Sequence, residues 1–183
     1  DPFTNVKCKR DLHQLFTRLG YKVGVEVGVL RGMGSDLILR ESEIDRLYSI
    51  DHWSNEDKSD LLNLEDYIHT TTRLFKFRSR SVVINLDAIQ AATLFTDNSL
   101  CFVYIDCGLT YELYMQQLET WWPKIKEGGI LAGHIFEWII RDGEHIDTDA
   151  PFVASEQFVE KYSLEKHVVI NRPIPPKADP ASF

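Results

Sequence analysis

Short β-branched apolar runs alternate along this chain with longer segments of helical spacing, and few folds accept that order. The runs fall at 23–27, 46–50, 81–84, 101–106, 129–134 and 166–170. Between them, helical spacing covers 33–40, 61–76, 88–95 and 111–126, with an opening helix at 8–19 closed by Gly20 and a late one at 151–162. Strands that alternate with helices predict a parallel sheet. Because the runs are apolar with little alternation, helices must cover both faces of that sheet. The expected fold is therefore α/β, three layers of helix, sheet and helix around a mostly parallel centre. Gly128 and Gly129 follow Lys124 and Lys126 as the end of a helix would ask, and Asp149 stands two residues before Pro151 as a helix start. A single domain is expected over 1–170, with a peripheral tail at 171–183 carrying Pro173, Pro175, Pro176 and Pro180.

The 183 residues suffice for one core that buries roughly 70% of the unfolded surface. Twenty Lys and Arg against twenty-eight Asp and Glu leave a net charge of −8, which argues against broad capture of nucleic acid or anionic lipid. No apolar run approaches the roughly 20 residues of a membrane helix. Cys8, Cys101 and Cys107 are an odd number without zinc-ligand spacing, so reduced thiols and a cytoplasmic location are expected. The chain opens on Asp1 rather than Met, which is read as trimming or processing and leaves a leader unassessed.

In an open α/β sheet the ligand sits beyond the carboxyl ends of the strands. The first run ends in Glu26-Val27-Gly28-Val29-Leu30-Arg31-Gly32, a glycine-punctuated turn that opens a helix and offers free backbone N–H groups. The second ends at Asp51, which either binds ribose hydroxyls or caps the next segment. Asp87 follows the third and is either a ligand residue or the N-cap of the helix after it. The fourth ends at Asp106, where a carboxylate otherwise lacks an evident role, and the fifth at His134. A dinucleotide fingerprint needs G-x-G-x-x-G, and three residues separate Gly28 from Gly32. Glu26 beside this turn repels a pyrophosphate and attracts a cation. S-adenosylmethionine carries a sulfonium and an ammonium and no phosphate, so the acidic rim favours it over a nicotinamide cofactor.

The stretches VGVEVGVLRGMGSDLIL, LYSIDHW, DAIQAATLF, FVYIDCGLTYELYMQQLETWWPKIKEGGILAGH and, more faintly, APFVASEQFVEKY resemble the class I S-adenosylmethionine-dependent methyltransferases. The similarity is to the methyltransferase-24 type, which includes macrocin-like O-methyltransferases, and runs from about Val23 to Tyr162. It implies a Rossmann-like methyltransferase fold with S-adenosyl-L-methionine as cofactor. By the resemblance, Glu26, Gly28 and Gly32 form the cofactor loop, with Glu26 toward the methionine ammonium. Asp51 binds the ribose, His52 and Trp53 flank the adenine, and Asp87 lies near the adenine amino group. Asp106 lies beneath the sulfonium and acceptor, and His134 ends the fifth strand. The family usually reads Asp-x-Asp-His-Ser-Tyr and Gly-His-Asp-Tyr where this chain has Asp106-Cys107-Gly108-Leu109-Thr110-Tyr111 and Gly133-His134-Ile135-Phe136. Leu109 and Ile135 offer no oxygen to a hard divalent ion, so no metal is expected.

The expected activity is methyl transfer to a small hydroxyl-bearing molecule, with His134 as the base and Asp106 orienting the acceptor or His134. The alternative is a degenerate domain of the same fold that binds cofactor or a partner without turnover. The oligomeric state stays open between monomer and homo-oligomer. Segment 136–149 reads as an irregular loop that either covers the substrate or merely connects, with Trp138, Ile139 and Ile140 as an apolar cluster.

Overall fold

The computed structural model describes residues 2–54, 63–108, 110–134 and 150–167, and the backbone of 138–141 and 144–147. Five parallel strands form the central sheet: β1 Val23–Val27, β2 Arg46–Asp51, β3 Ser81–Asn85, β4 Leu100–Ile105 and β5 Ile125–Gly133, in the order β3-β2-β1-β4-β5. Around it lie α1 Lys9–Arg18, α2 Met33–Glu41, α3 Leu64–Leu74, α4 Ala88–Ala92, α5 Tyr111–Trp121 and α6 Ala150–Tyr162. The chain lays down β1, β2 and β3 in one direction and then returns to place β4 on the other side of β1. The order therefore reverses between β1 and β4, where a parallel sheet opens a crevice at its carboxyl edge.

Side chains of successive strand residues point to opposite faces, and the core divides accordingly. On one face Val25, Val27, Ile50, Val103 and Ile105 pack with Ala91 of α4, Tyr114, Leu118 and Trp121 of α5, and Phe158 of α6. On the other, Leu47 and Phe102 pack with Phe16 of α1, Ile38 and Leu39 of α2, and Leu74 of α3. Gly24 matters to this second layer, because a Cβ there strikes the Phe102 ring. That ring lies over Gly24 and stacks on Phe16 at 4.0 Å between centroids, which seats α1 against the sheet.

Several elements depart from expectation. The helix expected to reach 126 ends at Trp121 and tightens into a 3₁₀ turn, Trp122–Lys124, because Pro123 lacks the N–H that the helix requires. Strand β5 then begins at Ile125 and not at 129. Its pairing with β4 jumps from Leu100↔Ile125 to Phe102↔Ile130, and Gly128, at φ +72°, lies inside that irregularity instead of closing a helix. Segment 136–149, expected to be irregular, contains an antiparallel pair, β6 Trp138–Arg141 with β7 Glu144–Asp147. Of the strand expected at 166–170, Lys166 and His167 are irregular. Residues 168–170, the tail at 171–183, Leu109, Ile135 and the cap at Asp149 lie outside the described residues.

Candidate functional site

The turn after β1 is held against the end of β4 by close backbone approach. Gly28 has φ +86°, and a Cβ there meets the Asp106 carbonyl oxygen at 2.5 Å and Cys107 Cβ at 2.6 Å. The Gly28 N–H donates to Ile50 O, and the Asp106 N–H to Val27 O. Gly32, at φ +74°, is the N-cap position of α2, so the amides of the first α2 turn face the carboxyl edge of the sheet. Between these glycines Leu30 takes φ +49°, a conformation costly for a side-chain-bearing residue. Its backbone explains how it is kept there. The Leu30 N–H donates to Asp51 Oδ2 at 2.8 Å, and Leu30 O accepts from Trp53 Nε1 and Thr70 Oγ1, both at 2.7 Å.

Asp51 therefore braces the loop from the neighbouring strand. Its second oxygen accepts the Trp53 N–H at 2.9 Å and lies 3.4 Å from His52 Nδ1. Oδ2 retains a lone pair for a further donor. His52 is exposed, whereas Trp53 is buried with its ring edge-on to Tyr67. Trp53 is thus a buried support of the loop and not part of an open surface.

Asp106, at the tip of β4, lies between two cationic or titratable groups. Oδ2 accepts from Lys9 Nζ at 3.0 Å, and Oδ1 lies 3.4 Å from His134 Nδ1. Burial works to raise its pKa, but the His134 hydrogen bond and the Lys9 charge outweigh burial and hold the carboxyl below its ordinary range. His134 is placed by its own N–H, which donates to Ile105 O at 3.0 Å, and its side chain is 52% exposed. Cys107, next in sequence, has its thiol pushed up to about 12 by burial and donates to Gln117 Oε1, so it is not nucleophilic near neutral pH.

Glu26 lies deeper than the sequence suggests. It is 1% exposed, packed beneath Gly34, and accepts from Ser35 Oγ, which also bonds Ser49 Oγ at 2.7 Å. Burial pushes its pKa up to about 7, against the pull of Ser35 and Lys9 and with the push of Asp106 and Asp51. Glu26 and Asp51 end adjacent strands, as the register Val27↔Ile50 requires, but Glu26 reaches the crevice through Ser35 and the α2 backbone and not through an open carboxylate. Asp87 caps α4 by accepting the Ile89 and Gln90 N–H groups.

Sequence reasoning brings Gly28, Gly32, Asp51, Asp106 and His134 to one edge and misses Lys9. The missed signal is helical spacing: Lys9, His13 and Phe16 stand at i, i+4 and i+7, so a lysine shares the stripe that α1 turns to the sheet. Lys9 Nζ lies 4.5 Å over the Tyr104 ring. Burial lowers its pKa, and the surrounding Tyr104, Asp106 and Glu26 more than reverse that, so Lys9 is held charged. Among the described residues no group of three or more His, Cys, Asp or Glu is arranged to hold a metal ion, and no helix is long and apolar enough to cross a membrane.

Residues 25–134, more than half of the chain and all of the site except Lys9, match the model of the methyltransferase-24 family, a methyltransferase domain. The chain belongs to this methyltransferase family. The methyltransferase domain is similar in structure to an O-methyltransferase from Bacillus cereus in complex with SAH, at TM-score 0.58 and 16% identity over 85% of this chain and 68% of that one. A cofactor-bound protein from MTB aligns at TM-score 0.60 and 16% identity, covering 87% of this chain and 69% of that one. An rRNA methylase from Streptococcus thermophilus aligns at TM-score 0.53 and 13% identity, covering 86% of this chain and 80% of that one. At these identities the likeness speaks for the fold, a Rossmann-like sheet flanked by helices. No curated protein matches the chain in sequence.

Proposed function

We propose that this methyltransferase domain uses S-adenosyl-L-methionine to methylate a hydroxyl oxygen of a small molecule. The observation that carries the reading is the meeting of the Gly28–Gly32 turn, Asp51, Asp106 and His134 at the point where the strand order reverses. The donor set suits the cofactor's chemistry. Gly28 lets the turn close against Asp106 and Cys107, Asp51 Oδ2 keeps a lone pair for a ribose hydroxyl, and the acids Asp51 and Asp106 favour a cation over a phosphate. When bound, the cofactor supplies an electrophilic methyl group on a sulfonium.

The chain's own residues supply position and proton transfer. Asp106 accepts from His134 Nδ1, which fixes the tautomer and leaves Nε2 to take the proton of the acceptor hydroxyl. A base in this role contributes about 10²–10⁴ in rate, and orientation of the acceptor contributes more. Asp51 and Trp53 hold Leu30 and with it the loop, so that the crevice is shaped before any ligand enters. Glu26 serves as the support beneath the loop, and Asp87 is proposed to meet the adenine while it caps α4.

Calorimetric titration with S-adenosylhomocysteine is the first test, with saturable one-site heat expected and its loss in Asp51→Ala. Folded wild-type protein that gives no heat overturns the reading. Methyl transfer to a panel of phenols, catechols and sugars, read by mass spectrometry, is the second. Binding without transfer to any member favours the non-catalytic alternative.

A further inference from the structure

Lys9 is the first residue of α1, seventeen positions before Glu26, yet its ammonium reaches the tip of β4. The charged and titratable groups around it come from four elements: His13 on α1, Glu26 on β1, Tyr104 on β4 with Asp106 just beyond it, and, across Asp106, His134 after β5. The contact is sheltered, with Lys9 and Asp106 side chains 30% and 26% exposed, so water and salt screen it only in part. A cation of this chain therefore already stands against the Asp106 carboxylate.

We propose that Lys9 is the internal counter-ion of Asp106 and, by neutralising it, sets the preference of the crevice between a cofactor bearing a sulfonium and its neutral thioether product. The inference rests on the methyltransferase reading above. S-adenosylmethionine and S-adenosylhomocysteine share the nucleoside, the ammonium and the carboxylate, and differ at sulfur by a methyl group and one positive charge. Without Lys9, Asp106 attracts that extra charge unopposed. With Lys9 present, the attraction is offset and the two ligands bind more alike. Lys9 acts through Asp106 and is thus a specificity-determining residue, not a catalytic one. Lys9 opens α1, whose seat against the sheet is Phe16, so its replacement is expected to leave the fold intact.

The test is the ratio of the two dissociation constants, measured by calorimetry at pH 7.5 for wild type, Lys9→Met, Lys9→Gln and Lys9→Arg, with the midpoint of thermal unfolding as a check on folding. Lys9→Met and Lys9→Gln are expected to shift the ratio toward S-adenosylmethionine by about tenfold, or about 1.4 kcal/mol. Lys9→Arg, which keeps the charge, restores the wild-type ratio. If the neutral variants bind both ligands with an unchanged ratio, the counter-ion role is wrong and the methyltransferase reading stands. If wild type binds neither ligand, that reading fails first and this inference falls with it. A shift that Lys9→Arg does not rescue also overturns the proposal, because it then reflects packing and not charge.

Discussion

Replacing Glu26 by Gln tests the buried carboxyl at the base of the loop. Burial raises this group from 4.5 to about 7 in the folded protein, against the opposing hydrogen bond from Ser35 and charge of Lys9. The folded state thus binds the Glu26 proton more tightly than the unfolded state, and the group's contribution to stability is fully present below pH 4.5 and lost as pH rises through 7. At 1.36 kcal/mol per pH unit, the span amounts to about 3 kcal/mol of stability removed between those limits. Glutamine has nearly the same shape, can still accept from Ser35 Oγ and does not titrate. Whatever constant offset the amide brings, the stability difference between Glu26→Gln and wild type should move in favour of the variant by about 3 kcal/mol from pH 4.5 to pH 8. Urea unfolding followed by tryptophan fluorescence suits the measurement, since Trp53 and Trp121 are both buried. A difference that stays constant within about 1 kcal/mol across that range refutes the claim that Glu26 is sealed beneath Gly34 and Ser35.

Two further outcomes follow from neighbouring geometry. His13 is buried, has no hydrogen-bond partner among the described residues, and has its pKa lowered to about 4 by burial and by Lys9. Its stabilising share is present above 6.5 and lost as pH falls toward 4, so His13→Leu should flatten that acid loss and raise stability at pH 7 by about 1–2 kcal/mol in urea unfolding. Asp87→Ala, which removes the α4 cap, should cost about 1 kcal/mol while Asp87→Asn costs little; calorimetry with S-adenosylhomocysteine then isolates any ligand role, since weakened binding in the folded Asn variant reports the loss of the second carboxylate oxygen and its charge, with the cap kept.

The layered fold was legible because its signal is periodic. Val23–Val27 stands where its apolar run places it, and the other four strands of the central sheet each end within a residue of expectation. Legibility failed where one residue decides among local options. Pro123 ends α5 early, and the glycines after it serve a kink in β5, because a Lys-Glu-Gly-Gly pattern reads equally as a helix end or a bulge. The gathering of Gly28, Gly32, Asp51, Asp106 and His134 at one edge was legible for the same reason as the sheet, since each stands at or just beyond a strand end. Depth was not: nothing in Val25-Glu26-Val27 says that the acid sinks beneath the α2 turn, because Ser35, Ser49 and Gly34 that enclose it come from other elements. Lys9 escaped because its role depends on how α1 is seated against β4, a tertiary fact that spacing hints at but does not state.

That seating has a mechanical side. Lys9 and Phe16 are seven residues apart on α1, about 10 Å along its axis. The aromatic stack on Phe102 is the fulcrum and the ammonium is the far end of the lever. A tilt of about 6° carries that end about 1 Å, enough to part it from the carboxylate it touches. Whatever leans on α1 therefore changes the charge balance at Asp106, without moving a single strand.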